Sequence, residues 1–92
     1  METWDQAHEV LLPLLAKAGI KEKDFKTDSA GQDGTRKLFL DFEYKGKHWI
    51  VSVCPLKKYY WVERGEIGDN TYDIIAQRMP FDRAAAELKK AI

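Results

Sequence analysis

Between Arg36 and Glu63 the chain reads RKLFLDFEYKGKHWIVSVCPLKKYYWVE, and this stretch admits very few folded arrangements. Leu38, Leu40, Phe42 and Tyr44 alternate with Lys37, Phe39, Asp41 and Glu43, the period-two pattern of a half-buried strand. Lys45-Gly46 then supplies a two-residue hairpin loop, with Gly46 free to take a positive φ. Folding there sets Tyr44 opposite Lys47, Glu43 opposite His48, Phe42 opposite Trp49, Leu40 opposite Val51 and Leu38 opposite Val53. A slip of one residue would turn one strand's apolar set to the wrong side, so the register is strongly specified.

Pro55 lacks an amide donor and ends the second strand near Cys54. A third apolar run follows from Tyr59 to Val62. Tyr59 and Trp61 share one of its faces, Tyr60 and Val62 the other, and the pattern leaves the buried side open. Gly68-Asp69-Asn70 marks a turn. Thr71 to Met79 reads as a fourth antiparallel strand, in preference to a helix capped by Asn70.

Helices are expected on both flanks. Thr3 with Gln6 three places on fits a capping box, and Trp4, His8, Leu11, Leu15 and Ala18 form a stripe at helical spacing. Pro13 inside this run predicts a kink, or two helical pieces meeting at Leu12-Pro13. Gly19 is read as the left-handed terminator, with Ile20 folding back onto Leu15 in a Schellman cap. Lys21 to Thr35 is mostly polar. Phe25 is its anchor, residues 25–28 suggest a short strand, and Ser29 to Gly34 is turn material in a solvated loop. After Pro80, Asp82 is the expected N-cap of a final helix whose apolar side is Ala84, Ala85, Leu88, Ala91 and Ile92.

Helix stripes need a sheet face to cover. The expected fold is therefore α+β and two-layered: an N-terminal helix, an antiparallel meander of three to four strands and a C-terminal helix. With 92 residues, of which 45% are apolar and 33% charged, it forms a single domain, residues 1–92. No apolar run reaches the length of a membrane span, and METWDQAHEV has neither the basic start nor the apolar stretch of a signal peptide. One cysteine forms no internal disulfide, so a reducing, cytoplasmic location is the expectation.

Little in the chain suggests catalysis. His48 and Cys54 share a face of one strand, but six residues separate them by about 20 Å, beyond the reach of a nucleophile–base pair. Glu43 and His48 are expected cross-strand neighbours with Asp41 beside them, and a surface ion pair is favoured there over a metal site. His8 lies on the helical stripe as a half-buried, hydrogen-bonded residue. No serine stands in a nucleophile elbow, no glycine-rich phosphate loop follows a strand, and Ala30 breaks any calcium-loop pattern. The expectation is no enzyme, no cofactor and no metal.

Charge is more informative. The formal net charge is zero, yet residues 1–35 carry −3, residues 36–64 carry +4 and residues 65–92 carry −1. With Leu38, Leu40, Phe42, Trp49, Val51 and Val53 facing the helices, Phe39 and Ile50 point away from them. Two function classes follow. The first is a protein-binding or self-associating module, of accessory or inhibitor type, that uses this outward face. Its expected contact residues are Phe39, Ile50, His48, Lys37, Lys57, Lys58, Tyr59 and Trp61. The second is nucleic-acid binding by the basic and aromatic residues of the sheet, Lys47-His48-Trp49 and Lys57 to Trp61. In topology alone, the helix–three-strand–helix order resembles double-stranded-RNA-binding domains. Asp82-Arg83-Ala84-Ala85-Ala86 stands where their last helix begins with lysines, and a net charge of zero disfavours strong phosphate binding.

Overall fold

In the computed structural model, which describes residues 2–92, the central hairpin has the register its alternation dictates. Strands β2 (Leu38–Tyr44) and β3 (Lys47–Cys54) pair antiparallel, with Phe42 against Trp49, Leu40 against Val51 and Leu38 against Val53. Lys45 and Gly46 both take positive φ, 50° and 75°, the primed turn that matches strand twist. The Trp49 indole N–H donates to the Tyr44 carbonyl at 3.2 Å, pinning the hairpin end.

The meander is longer than expected. It has five strands in the order β1-β2-β3-β4-β5, adding β1 (Lys26–Gln32), β4 (Tyr59–Glu66) and β5 (Tyr72–Met79). The strand expected over residues 71–79 is present. In β4, Tyr60 and Val62 are the buried pair, which leaves Tyr59 and Trp61 outside. Five strands also depart from the three of the RNA-binding layout.

The loop expected over residues 29–34 is overturned for its first part. Residues 29–32 belong to β1, the edge strand beside β2. A bulge between Thr27 and Ser29 shifts the register there, so the period-two signal breaks in the sequence although the strand continues in space. Asp33 then closes the turn: its Oδ1 accepts from the Thr35 amide at 2.8 Å, the Thr35 hydroxyl at 2.7 Å and the Lys37 amide at 3.1 Å.

Helices α1 (Glu2–Lys17) and α2 (Phe81–Ala91) lie on one face of the sheet and touch each other. The break into two helical pieces at Leu12-Pro13 is absent, since α1 runs continuously through Pro13. Pro13 is exposed, and the neighbouring Leu11, Leu14 and Leu15 are fully buried and hold both flanking turns on the sheet. Thr3, read as the helix start, lies within the first turn, because α1 already runs from Glu2. The exit is the expected Schellman cap: Gly19 has φ 92°, the Ile20 amide donates to the Leu15 carbonyl at 2.9 Å and the Gly19 amide to that of Ala16 at 3.0 Å. Asp82 is not the cap of α2. Pro80 occupies that position without a side-chain bond, and Phe81 enters the first turn with its ring 5.5 Å from that of Tyr60. That aromatic contact starts the helix early.

The core lies between this helical layer and the inner sheet face. Its largest fully buried members are Trp49, Phe42, Leu11, Leu14 and Leu15. His8 bridges the layers: Nδ1–H donates to the Trp4 carbonyl at 2.9 Å, so Nε2 accepts from the Thr27 hydroxyl at 3.1 Å. No described helix is long and apolar enough to cross a membrane.

Candidate functional site: the uncovered face of the sheet

Because both helices sit on one side, the opposite side of the sheet has no covering layer from the described residues. The pairing registers arrange its side chains in rows across the strands. One end row holds Cys54 and Tyr59, the next Phe39, Ser52 and Trp61, the next Asp41, Ile50, Glu63 and Ile74, and the last Glu43, His48, Gly65 and Tyr72.

The first two rows form a basic, aromatic corner. Lys37, Cys54, Lys57, Tyr59, Trp61 and Arg78 line a shallow concavity of about 240 Å³. The Lys37 ammonium lies 4.3 Å from the centre of the Trp61 ring. Lys37 adjoins β2 and Trp61 is on β4, so the lysine reaches across β3. Small Ser52 makes that possible, and it is only 9% exposed.

Of the residues expected to form a contact surface, Lys37, Lys57, Tyr59 and Trp61 are thus brought together. Ile50 sits one row away. Phe39 is half-buried, with its ring against Gly31, where a Cβ would lie 3.7 Å from it. Lys58 stands apart in the β3–β4 turn, at φ 56°. His48 belongs to the far end of the face. Ile74, 60% exposed, extends the apolar middle onto β5.

The far end is acidic. His48 Nε2–H donates to Asp41 Oδ1, and the Asp28 carboxylate stands 3.9 Å from the same nitrogen. On its other side, His48 Nδ1 lies 3.3 Å from the Tyr72 hydroxyl. Glu43 opposes His48 directly across the β2–β3 ladder, where the sequence pairs it, but Asp41 is the carboxylate its ring engages. Burial holds the Asp41 carboxyl above its ordinary range; His48 opposes that shift, and the Asp28 and Glu43 charges add to it. The Tyr72 phenol is also raised, first by burial and then by the surrounding carboxylates, which keeps it neutral.

Sequence reasoning missed Asp28, Tyr72 and Arg78. Asp28 reaches the face through the bulge, and the other two depend on which way β5 runs across the sheet edge. His48 and Cys54 stand at opposite ends of β3. Comparison with protein-family models, curated proteins and solved structures finds no match for this chain.

Proposed function

We propose that the protein is a non-enzymatic binding module, an accessory or inhibitor-type protein that holds a partner protein against the uncovered sheet face. The carrying observation is the corner where Trp61 and Tyr59 stand among Lys37, Lys57 and Arg78, beside Ile50 and Ile74. Aromatic anchors ringed by cations suit a protein segment that presents carboxylates around an apolar side chain. Charge is sorted along the strands, with cations at one end and Asp28, Asp41, Glu43 and Glu63 towards the other. A second copy turned end for end has the same complementarity, so self-association is one outcome of the test. The single cysteine is unpaired, which accords with a reducing, cytoplasmic setting.

The nucleic-acid reading has less support. Four carboxylates share the face that bases would stack on, and they repel phosphate.

The test compares wild type with the double variant Trp61→Ala/Ile50→Lys, by affinity capture from the native host and by sedimentation velocity. Loss of a saturable protein partner or of self-association, with an unchanged melting temperature, supports the proposal. Identical partners and identical sedimentation overturn it. Salt-sensitive oligonucleotide binding tighter than about 100 μM replaces it with the nucleic-acid reading.

A further inference from the structure

The far end of the same face carries a different chemistry from the aromatic corner. Asp28, Asp41 and His48 come from three adjacent strands, and one ligand atom from each lies within 4.8 Å of the others. We propose that these three side chains form a binding site for a first-row divalent cation such as zinc.

Two carboxylate oxygens and one imidazole nitrogen are a mixed donor set that suits zinc or manganese better than magnesium. Ligand bonds of about 2.0–2.2 Å require donor atoms about 3–3.5 Å apart. Asp28 stands 3.9 Å from the imidazole nitrogen and is the most exposed of the three, so a small side-chain rotation closes the site. Asp41 and His48 lie diagonally across the β2–β3 ladder in direct contact, and an ion entering between them replaces that hydrogen bond.

Three further features accord with a cation. The bulge between Thr27 and Ser29 turns the Asp28 carboxylate towards His48, and bulges commonly re-aim side chains beside sites. Among the described residues the ion pairs of Asp28 and Asp41 are both with His48, so two carboxylates gather around one imidazole. Tyr72, from β5, backs the second imidazole nitrogen, as ligating histidines generally require.

The proton inventory closes. Without the ion, Nε2–H donates to Asp41 and the Tyr72 hydroxyl donates to Nδ1. With the ion on Nε2, the neutral imidazole carries its proton on Nδ1 and donates it to the Tyr72 oxygen. Three protein ligands leave at least one coordination position open to water or to a carboxylate from a partner.

The experiment is isothermal titration of the EDTA-stripped protein with zinc, manganese and magnesium ions separately, with cobalt absorption as a second readout. Wild type should bind one zinc ion, more tightly than manganese and manganese more tightly than magnesium. Asp28→Asn and His48→Gln should each weaken zinc at least tenfold and lose the visible cobalt bands. His8→Gln and Cys54→Ser should leave both readouts unchanged. Asp28→Asn alters an exposed edge residue, so a folding defect will not mask its result; the melting temperature confirms this. No saturable zinc binding by wild type, or equal affinity in Asp28→Asn, overturns the proposal.

Discussion

The ammonium of Lys37 is held 4.3 Å from the centre of the Trp61 ring, across an intervening strand whose residue at that point is Ser52. The contact lies at the solvent boundary, where a cation–π pair contributes about 0.5–1 kcal/mol. Lys37→Met should therefore lower stability by no more than about 1 kcal/mol. Against a bound partner, Trp61→Ala should cost about 2 kcal/mol or more, as interface anchors do. Chemical denaturation and a binding titration on the same two variants separate the effects, and an equal loss in both would make Trp61 a folding residue only.

Pro13 should be a removable liability. It lies inside α1, exposed, and deprives the helix of one hydrogen bond. Pro13→Ala should stabilise the protein by about 1–3 kcal/mol, the scale of an interior helix proline. A rise in the urea midpoint with an unchanged slope would show it. A fall would mean that α1 depends on the proline's ring.

Gly65 has the opposite character. A Cβ there would stand 2.7 Å from the Thr71 carbonyl oxygen and 3.0 Å from the Tyr72 ring. The Thr71 carbonyl is backbone and has little room to yield, so Gly65→Ala should destabilise by about 1–3 kcal/mol. Hydrogen exchange should place the damage in β4 and β5, with the β2–β3 hairpin still protected.

Two carboxylates give opposite pH dependences, measured in EDTA. Burial raises Asp41, and a raised acid binds its proton more tightly in the folded state. Its favourable contribution is complete below the ordinary carboxylate range and is lost as pH rises through the raised value. Asp33 is lowered: burial alone would raise it, but the Thr35 hydroxyl, the Thr35 and Lys37 amides and the Lys37 charge together outweigh that. Its contribution is present above the ordinary range and lost as pH falls through the lowered value. Asp41→Asn should thus gain melting temperature relative to wild type as pH rises from about 3 to about 7. Asp33→Asn should lose melting temperature relative to wild type near neutrality and converge on it in acid.

How far the fold was legible depended on whether the local pattern matched its surroundings. The Phe42–Trp49 and Leu40–Val51 pairings could be read because each strand alternates without interruption and the turn has two residues. Strand β1 was legible only in part, because the bulge at Asp28 breaks its alternation and its inward residues, Thr27 and Ala30, carry little apolar signal. Pro13 misled because burial of Leu11, Leu14 and Leu15 outweighs one lost hydrogen bond. Within the candidate site, Lys37, Lys57, Tyr59 and Trp61 stood out as basic and aromatic neighbours in the chain. Asp28 and Tyr72 approach His48 from strands distant in sequence, which no local pattern encodes.

The unbroken strand order from β1 to β5 has a kinetic consequence. Every strand pairs only with the one before or after it, so each step of sheet formation closes a short loop. The contact that joins the two ends of the described chain is that between α1 and α2, which needs the sheet already in place beneath them. Such a chain should collapse hairpin by hairpin, with helix docking as its late event. Its refolding rate should lie among the mixed α/β two-state domains, faster than a β-sandwich of equal length. Stopped-flow tryptophan fluorescence, with Trp49 in the core as the dominant probe, would measure it.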